Sequence, residues 1–336
     1  MLYLFIFLQT LLLSNSKAES AVFLRYDPGF YYDRIKAHPE EKTTDLYIKE
    51  LVSYWKLNHI RGVYLLLHSP EYGAFYPTKI KHELIEPNLG KTTFIKKLLK
   101  AGKKEKITFE AFFYFLRSKT LWNTNPGWRA ANCNQENEFL LDVRNPEVRK
   151  TYENLIDDTM KKFPLLSGID LSEPISVNHC ENTDHQTTME LTRFITRISK
   201  KIHALRKEIS ITPNLPVNEN GNLWSESETK SFFGFSLLQV LKESNIDLIL
   251  PQLDFYQWQK AFPIKRAQFD LHWSLKNFSI FLKRIPKKYH QKVGIHLEVF
   301  AMNSKDVQAI RKKKFPRLDY YETELARGKD IKFYAH

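Results

Sequence analysis

The sequence of 336 residues contains only two cysteines and lacks the short motifs that identify several common enzyme classes. It has no zinc-ligand spacing of cysteines and histidines, no P-loop and no G-x-S-x-G nucleophile elbow. The turn after the first predicted strand, residues 25–29, is not the glycine-rich phosphate turn of a dinucleotide-binding sheet. The sequence therefore predicts neither a metal ion nor a cofactor.

Long hydrophobic runs are missing after the first 20 residues. The amino terminus, MLYLFIFLQTLLLSNSKAES, has an apolar run followed by Ser16-Lys17-Ala18, a small-x-small pattern typical of a cleavage site. We interpret residues 1–18 as a secretory signal peptide, because the run is short for a membrane span. An uncleaved anchor is the alternative, since the usual positive charges before the run are missing. We expect a periplasmic or secreted protein whose residues 19–336 form one domain.

Cys133 and Cys180 are an even pair in an exported protein, which favours one disulfide over two free thiols. The net charge of +13 favours an anionic neighbour such as acidic polysaccharide, lipid headgroups or nucleic acid. However, the lysines are spread along predicted helices, which is more typical of a solvated helix surface. We therefore predict no nucleic-acid partner and no membrane span, and an anionic envelope polymer stays open as a partner.

Eight strand-like segments alternate with amphipathic, helix-like ones. This alternation predicts a parallel sheet in an α/β fold, and eight units fit a closed (β/α)8 TIM barrel of ~250 residues plus insertions. An open doubly wound sheet is the alternative. The predicted strands are Ala21–Tyr26, Gly62–His68, Ile107–Phe115, Gly168–Glu173, Ile209–Asn214, Ile246–Asp254, Val293–Phe300 and Ile331–His336.

The stretch from Phe139 to Pro174 shows this organisation most clearly. Asn145 and Pro146 have the residue types of a helix cap and a first helical position. Apolar residues then recur at helical spacing, and after Gly168 the period changes to two. Because α/β barrels keep their chemistry at the carboxyl ends of strands, Glu173 is the leading candidate for a catalytic acid. The apolar face of the predicted helix comprises Val148, Tyr152, Leu155, Ile156 and Met160.

Polar side chains recur on the strand faces that would line the barrel interior, toward the carboxyl ends. Structural barrel layers are mostly branched aliphatic residues, so this many polar groups favours a ligand site. Glu110 fits a buried partner of Arg25 or of another base better than a catalyst. The polar residues placed on interior faces are Arg25, His68, Glu110, Asp170, Ser210, Thr212, Asn214, His296 and Glu298.

Three carboxylates stand at predicted strand ends: Glu173, Asp254 and Glu298. Cleavage of a glycosidic bond needs two carboxyl groups, ~5–5.5 Å apart for retention and ~6.5–9.5 Å apart for inversion. We predict Glu173 as the general acid, with Glu298 or, second, Asp254 as the nucleophile or base. A salt bridge or helix cap is the alternative role, mainly for Asp254.

Aromatic residues are concentrated in the loops that follow these strands. Their flat rings offer rigid contact area to the C–H faces of sugars. Phe75 and Tyr76 follow the second strand, and Trp128 follows the third. A disulfide between Cys133 and Cys180 would connect two of these loops beside Glu173. Together with the polar interior residues, the predicted substrate-binding set is Arg25, His68, Tyr72, Trp122, Asp170, Asn214, Trp258, His296 and Tyr334.

The run DVRNPEVR, a helix and then GIDLSEP resembles the core of secreted glycoside-hydrolase-like TIM barrels. It is most similar to the C-terminal hydrolase domain of periplasmic poly-β-1,6-N-acetylglucosamine N-deacetylases, as are HSPEYGAFYP and ITPNLPV leading to LILPQLDFYQW. The resemblance implies acidic residues at Glu173, near Asp254 and at Glu298, and an exopolysaccharide rich in amino sugar as substrate. In contrast to those domains, Ser172-Glu173 replaces their acid pair, and the sequence has no counterpart of the deacetylase domain and its metal site.

These observations predict an exported glycoside hydrolase that acts on a cell-surface or matrix polysaccharide. A non-catalytic polysaccharide-binding barrel is the alternative from another class. Electrostatic attachment of basic helices to an anionic envelope polymer is the third, and it predicts binding that collapses with salt.

Overall fold

The computed structural model describes residues 21–29, 41–71, 73–80, 93–130, 139–172, 185–215, 217, 220–233, 236–252, 270–298 and 317–321. Its strands are β1 (Ala21–Tyr26), β2 (Gly62–Ser69), β3 (Gly73–Ala74), β4 (Thr108–Tyr114), β5 (Gly168–Ser172), β6 (Glu208–Thr212), β7 (Leu248–Ile249), β8 (Ile295–Glu298) and β9 (Arg317–Tyr321). Its α-helices are α1 (Glu41–Leu57), α2 (Phe94–Lys104), α3 (Lys119–Thr124), α4 (Pro146–Lys162), α5 (His185–Ala204), α6 (Glu226–Phe233), α7 (Leu237–Glu243) and α8 (Leu271–Arg284).

Eight of these strands form one curled sheet in the order β7-β6-β5-β4-β2-β1-β9-β8, and each neighbouring pair is parallel. The short β3 pairs antiparallel with the end of β2. Between β7 and β8, at the two ends of this order, parallel bridges connect Ile249 to Val293 and Gln252 to His296. The predicted α/β class with a parallel sheet is confirmed.

One strand lies at a different place from the prediction. The strand that pairs with both β1 and β8 is Arg317–Tyr321, which the sequence analysis did not assign, whereas residues 331–336 lie outside the described residues. The short strand follows a run of basic residues and a proline, so its alternation of apolar and polar residues is brief and easily overlooked. Tyr334 belongs to the strand predicted at residues 331–336, so its position stays a prediction.

The outer face of the sheet packs against apolar helix stripes. Tyr26 of β1 contacts Trp55 of α1 edge to face, with ring centroids 5.5 Å apart, and its hydroxyl lies 3.0 Å from that of Tyr47. The apolar spacing along residues 191–205 predicts a second helix stripe, and in α5 this stripe is buried from Leu191 to Ile202. Leu205 lies beyond the helix end and is half exposed. Such burial of apolar surface is the main favourable term in folding.

Helix α4 begins and packs as its sequence predicts. The Asn145 side chain accepts a hydrogen bond from the Glu147 backbone N–H at 2.9 Å, and Pro146 occupies the first turn. All five residues of the predicted apolar face are buried. Two features of the chain thus fix the approach to β5: a capped helix start and a buried helix face.

None of the helices in the described part of the chain is long and apolar enough to cross a membrane.

Gly168, the first residue of β5, provides a test of packing within the sheet. A Cβ atom there would lie 2.4 Å from the Glu208 carbonyl oxygen, which belongs to the neighbouring strand and cannot rotate away. We expect Gly168→Ala to lower the free energy of unfolding by about 1–3 kcal/mol, measured by urea denaturation.

Gly127→Ala is the matched control, because nothing lies within 4 Å of the place that an added Cβ atom would occupy. Equal losses of stability in the two variants would contradict this account of the β5–β6 contact.

Candidate functional site

The carboxylate of Asp170 is the centre of a polar cluster inside the curled sheet. Asp170 is the third residue of β5 and is fully buried. Its Oδ1 accepts a hydrogen bond from Ser210 at 2.8 Å, and Thr212 lies 3.0 Å from both carboxylate oxygens. Its Oδ2 also accepts from Ser172 at 2.6 Å and from Arg25 at 2.9 Å. The buried negative charge is therefore surrounded by donors on three strands.

Arg25 supplies the opposite charge from β1. Its guanidinium donates to Asp170, to the Thr212 hydroxyl at 2.6 Å and to the Ser172 hydroxyl. The Tyr64 and Phe112 rings lie on it, with centroids 5.2 and 5.0 Å from the central carbon. Only 5% of the Arg25 side chain is exposed. Both partners of this ion pair are desolvated, so each depends on the other for its charge to be tolerated.

The hydroxyl groups relay hydrogen bonds between the two charges. Ser172 and Thr212 each accept from Arg25 and donate to Asp170. A hydroxyl has one proton and two lone pairs. Each hydroxyl therefore donates its proton to the Asp170 carboxylate and accepts a proton of the Arg25 guanidinium on a lone pair. In these hydrogen bonds each donor therefore meets an acceptor, which is how a buried polar network becomes stabilising.

This cluster fixes the chain immediately before Glu173. Ser172 is the last residue of β5; its side chain is held by Arg25 and Asp170, and its carbonyl oxygen accepts the Phe115 N–H at 2.9 Å. The position from which the chain continues to the predicted catalytic acid is thus set by contacts to β1, β5 and the end of β4.

A second contact between a buried acid and a base lies nearer the amino ends of the strands. Arg317, the first residue of β9, donates to Glu110 Oε1 and to the Tyr64 hydroxyl, each at 2.7 Å, and to Glu208 at 3.2 Å. Glu110 is fully buried, and its Oε2 has no hydrogen-bond partner within the described structure. Burial raises the pKa of the Glu110 carboxyl to about 8, although the Arg317 guanidinium opposes this shift. Glu110 is therefore a buried partner of a base, as predicted, and that base is Arg317.

Two predicted histidines lie in this sheet and are buried. His296 in β8 is 3% exposed, and its backbone N–H donates to the Pro251 carbonyl at 3.2 Å. His68 is 1% exposed, but a bulge after Leu66 shifts the register so that it pairs with Phe113. The bulge interrupts the alternation of inward and outward side chains along β2 before His68. The register therefore does not support the predicted inward direction of the His68 side chain.

Asn214 lies just beyond β6, where it bridges to Gln252, and is partly exposed. It contributes to a pocket whose walls are mainly apolar and include Leu215, Trp224 and Phe281. The carboxylate of Glu226 in the same lining accepts from the Ser236 hydroxyl at 2.5 Å and from the Leu238 N–H at 3.2 Å. The Glu226 carboxylate therefore accepts hydrogen bonds at the start of α7.

The aromatic loop residues divide into two groups. Phe75 and Tyr76 are buried, and the Tyr76 hydroxyl lies 2.7 Å from that of Thr159, so they belong to the core and not to a binding surface. Trp122 is partly exposed, with the Arg129 guanidinium 3.7 Å from its ring centre and Phe139 at its edge. One face of Trp122 is therefore covered by a protein cation.

Several predicted site residues lie outside the described residues: Tyr72, Cys133, Glu173, Cys180, Asp254, Trp258 and Tyr334. The backbone of Glu298 is described, and it is the last residue of β8, in register with Tyr321 of β9. The structure thus brings together Arg25 and Asp170 and places Glu298 at a carboxyl strand end. The catalytic pair and the disulfide stay predictions.

Sequence reasoning missed three contributors to the interior. Tyr64 pairs with Arg25 and Phe112 pairs with Asp170, so both aromatic residues share the inward face of their partners. Alternation along β2 and β4 could have predicted these two residues beside the Arg25 cation. Arg317 was missed because its strand was not predicted. Among the described residues no group of three or more His, Cys, Asp or Glu side chains is arranged to hold a metal ion.

Comparison with solved structures identifies the class of fold. No family model matches the sequence, and no curated protein matches it in sequence. Solved structures that share this fold include glycoside hydrolases, so the chain has an α/β fold found in these enzymes. Because sequence identity to them is only 10–13%, this structural similarity establishes the fold and not the activity.

Particular structures are similar over nearly the whole chain. The PgaB (BpsB) glycoside hydrolase domain from Bordetella bronchiseptica has a TM-score of 0.62 at 10% identity, and the match covers 93% of this chain and 96% of that domain. The endo-1,4-beta-mannanase from Rhizomucor miehei has a TM-score of 0.59 at 13% identity, with 95% and 93% covered. The fold resemblance inferred from the sequence motifs is thereby confirmed.

The Arg25–Asp170 pair predicts a large loss of stability when one charge is removed. Asp170→Asn leaves Arg25 buried without its counter-ion, so we expect the free energy of unfolding to fall by about 3–5 kcal/mol in urea denaturation. As a control, Asp45→Asn removes an ion pair with Lys97 at the surface, where the Asp45 side chain is 65% exposed. This variant should lower the free energy of unfolding by less than about 1 kcal/mol. Similar costs at the two sites would show that burial of the pair is unimportant.

The raised pKa of Glu110 predicts that the free energy of unfolding falls as the pH rises. Between the usual carboxyl pKa of 4.5 and about 8, the unfolded chain releases the Glu110 proton while the folded chain keeps it. The folded state then binds more protons, so its stability decreases across this window and is unaffected by this group below it.

Glu110→Gln should flatten that dependence when urea denaturation is followed from about pH 5 to about pH 9. Glu147→Gln, at an exposed position in the first turn of α4, changes the same charge and serves as the control. A wild-type slope that both variants share would mean that Glu110 is not its source.

Proposed function

We propose that the protein is an exported glycoside hydrolase that cleaves a cell-surface or matrix polysaccharide by a two-carboxylate mechanism. The observation that carries this proposal is the buried Arg25–Asp170 cluster, which fixes Ser172 directly before Glu173 at the carboxyl end of a parallel strand. Catalytic groups must be kept in position by a rigid surround, and this end of parallel strands is where such folds carry their chemistry.

The closed (β/α)8 barrel and the single domain are part of this proposal. They are supported by the parallel bridges from Ile249 to Val293 and from Gln252 to His296, which link the ends of the strand order. In that arrangement β5 and β8 are three neighbours apart through β6 and β7. Glu173 and Glu298 then approach one mouth from different sides, as hydrolysis of a bond held between them requires.

In this mechanism Glu173 acts as the general acid that protonates the leaving oxygen. Glu298, or Asp254 in second place, acts as the nucleophile or as the base that activates water. Arg25 and Asp170 have a role different from the direct substrate contact that the sequence predicts. Their polar atoms are already bonded to each other and to hydroxyls, so they position the strand end below Glu173.

The class of substrate follows from two considerations. The glycoside hydrolase domain and the mannanase that share this fold are named for carbohydrate chemistry. The motif resemblance adds an exopolysaccharide rich in amino sugar. Tyr72, Trp122, Asn214, Trp258, His68, His296 and Tyr334 are proposed to contact the sugar chain, and Cys133 and Cys180 are proposed to form a disulfide between the loops beside Glu173.

Substitution of the proposed acid tests the mechanism. The mature chain is incubated with partially deacetylated poly-β-1,6-N-acetylglucosamine and with a β-1,4-mannan, and new reducing ends are measured. We expect Glu173→Gln and Glu298→Gln each to lower turnover by about 10²–10⁴-fold while polysaccharide binding persists, because only proton transfer or attack is removed.

Glu147→Gln removes the same charge at an exposed position in the first turn of α4, and it should leave turnover unchanged. Unchanged turnover in Glu173→Gln would exclude that residue as the acid. Binding of a polysaccharide by the wild type without any release of reducing ends would identify a non-catalytic binding protein instead.

A further inference from the structure

A groove with a basic lining runs between α1 and α2 on the outside of the sheet. Its volume is about 450 Å³, and its floor is apolar, formed by Ile48, Val52 and Ala101. The two helices run in the same direction, as shown by two ion pairs, one between their starts and one between their ends. Asp45 binds Lys97 at 2.9 Å near the first turns, and Lys56 binds Glu105 at 2.6 Å near the last turns.

Three lysines line the groove in addition to these pairs: Lys49, Lys100 and Lys104. All three are exposed, and within the part of the chain that the structure describes none of them has an ion pair or hydrogen bond. The two acids of the lining are already paired with Lys97 and Lys56, so the described residues of the groove leave positive charge uncompensated. From Lys97 to Lys104 the lysines extend over two helical turns, about 10.5 Å at 1.5 Å per residue.

The shape and the residue types of the groove restrict the ligand. Its length and its row of charges fit a linear polyanion lying along the helices. Single-stranded nucleic acid is bound through aromatic side chains that stack on bases, and the described residues of this lining include no aromatic one. They include no arginine either, although planar bidentate recognition of phosphate favours arginine.

A lipid surface is also a poor fit for this groove. Interfacial helices insert protruding apolar side chains into the bilayer, whereas here Ile48 and Val52 are buried at the bottom of the groove. An apolar floor below point charges suits a sugar chain, whose C–H faces can lie on the floor while its carboxylates meet the lysines.

We propose that the groove between α1 and α2 binds an acidic, carboxylated polysaccharide as a second site. The helices lie on the outer face of the sheet, since α1 carries Trp55 against β1, whereas the Arg25–Asp170 cluster lies inside. The polyanion thus attaches the protein without occupying the candidate active site. The proposal does not depend on hydrolase activity.

The test measures binding of the full chain to immobilised polygalacturonate, with neutral dextran as the reference polymer. We expect binding to polygalacturonate that weakens with added salt, and a loss of about tenfold or more in affinity in the triple variant Lys49→Gln/Lys100→Gln/Lys104→Gln. The control variant Lys150→Gln/Lys200→Gln/Lys276→Gln has the same net charge and changes exposed lysines on α4, α5 and α8. Its affinity should stay within about twofold of the wild type.

Each other outcome overturns the proposal. Equal losses in the two variants would mean that net charge, and not the groove, is responsible, and no binding by the wild type would exclude the site. Tighter binding to phosphatidylserine vesicles or to single-stranded DNA in competition would show that the polyanion is not a polysaccharide. Circular dichroism of both variants verifies that they fold.

Discussion

The buried ion pair between Arg25 and Asp170 is the interaction on which the interior depends. Arg25 belongs to β1 and Asp170 to β5, and two further strands lie between them in the sheet. The pair therefore connects opposite parts of the curled sheet through its interior, which the backbone hydrogen bonds of neighbouring strands cannot do. Removing two charges from water carries a large desolvation penalty, and the hydroxyl groups and aromatic rings around the guanidinium offset part of it. The pair thus holds β1 and β5 together at the candidate site.

Tyr64 joins this pair to the second one, Arg317–Glu110. Its ring lies 5.2 Å from the central carbon of Arg25 and 5.9 Å from that of Arg317, and its hydroxyl accepts from Arg317. Two cations are therefore stacked along the interior with an aromatic ring between them; Arg25 faces the Asp170 carboxylate, and Arg317 faces the Glu110 carboxyl group. The interiors of such sheets are usually filled by branched aliphatic side chains. Here charge pairing replaces part of that packing, so the geometry of the interior is set by directional contacts.

The sequence was most informative where a single period extends over many residues. The strand–helix alternation, the cap at Asn145 and the buried face of α4 could all be predicted, because each depends on local chemistry. The inward position of Arg25, Asp170 and Glu110 followed from alternation along single strands. Their partners did not, because pairing across the sheet depends on register. A bulge beside His68 and a short strand beginning at Arg317 changed that register without leaving a clear local pattern.

Among the described residues, β7 has the fewest residue pairs of the eight strands in this order. It shares two residue pairs with β6 and is linked to β8 only by isolated bridges, whereas the other neighbouring pairs in this order share at least four. Local opening is easiest where the fewest backbone hydrogen bonds must break. The pairing along the sheet is therefore uneven: from β9 through β5 each neighbouring contact has at least four residue pairs, so we expect local opening to be easier at β7 than within that part of the sheet.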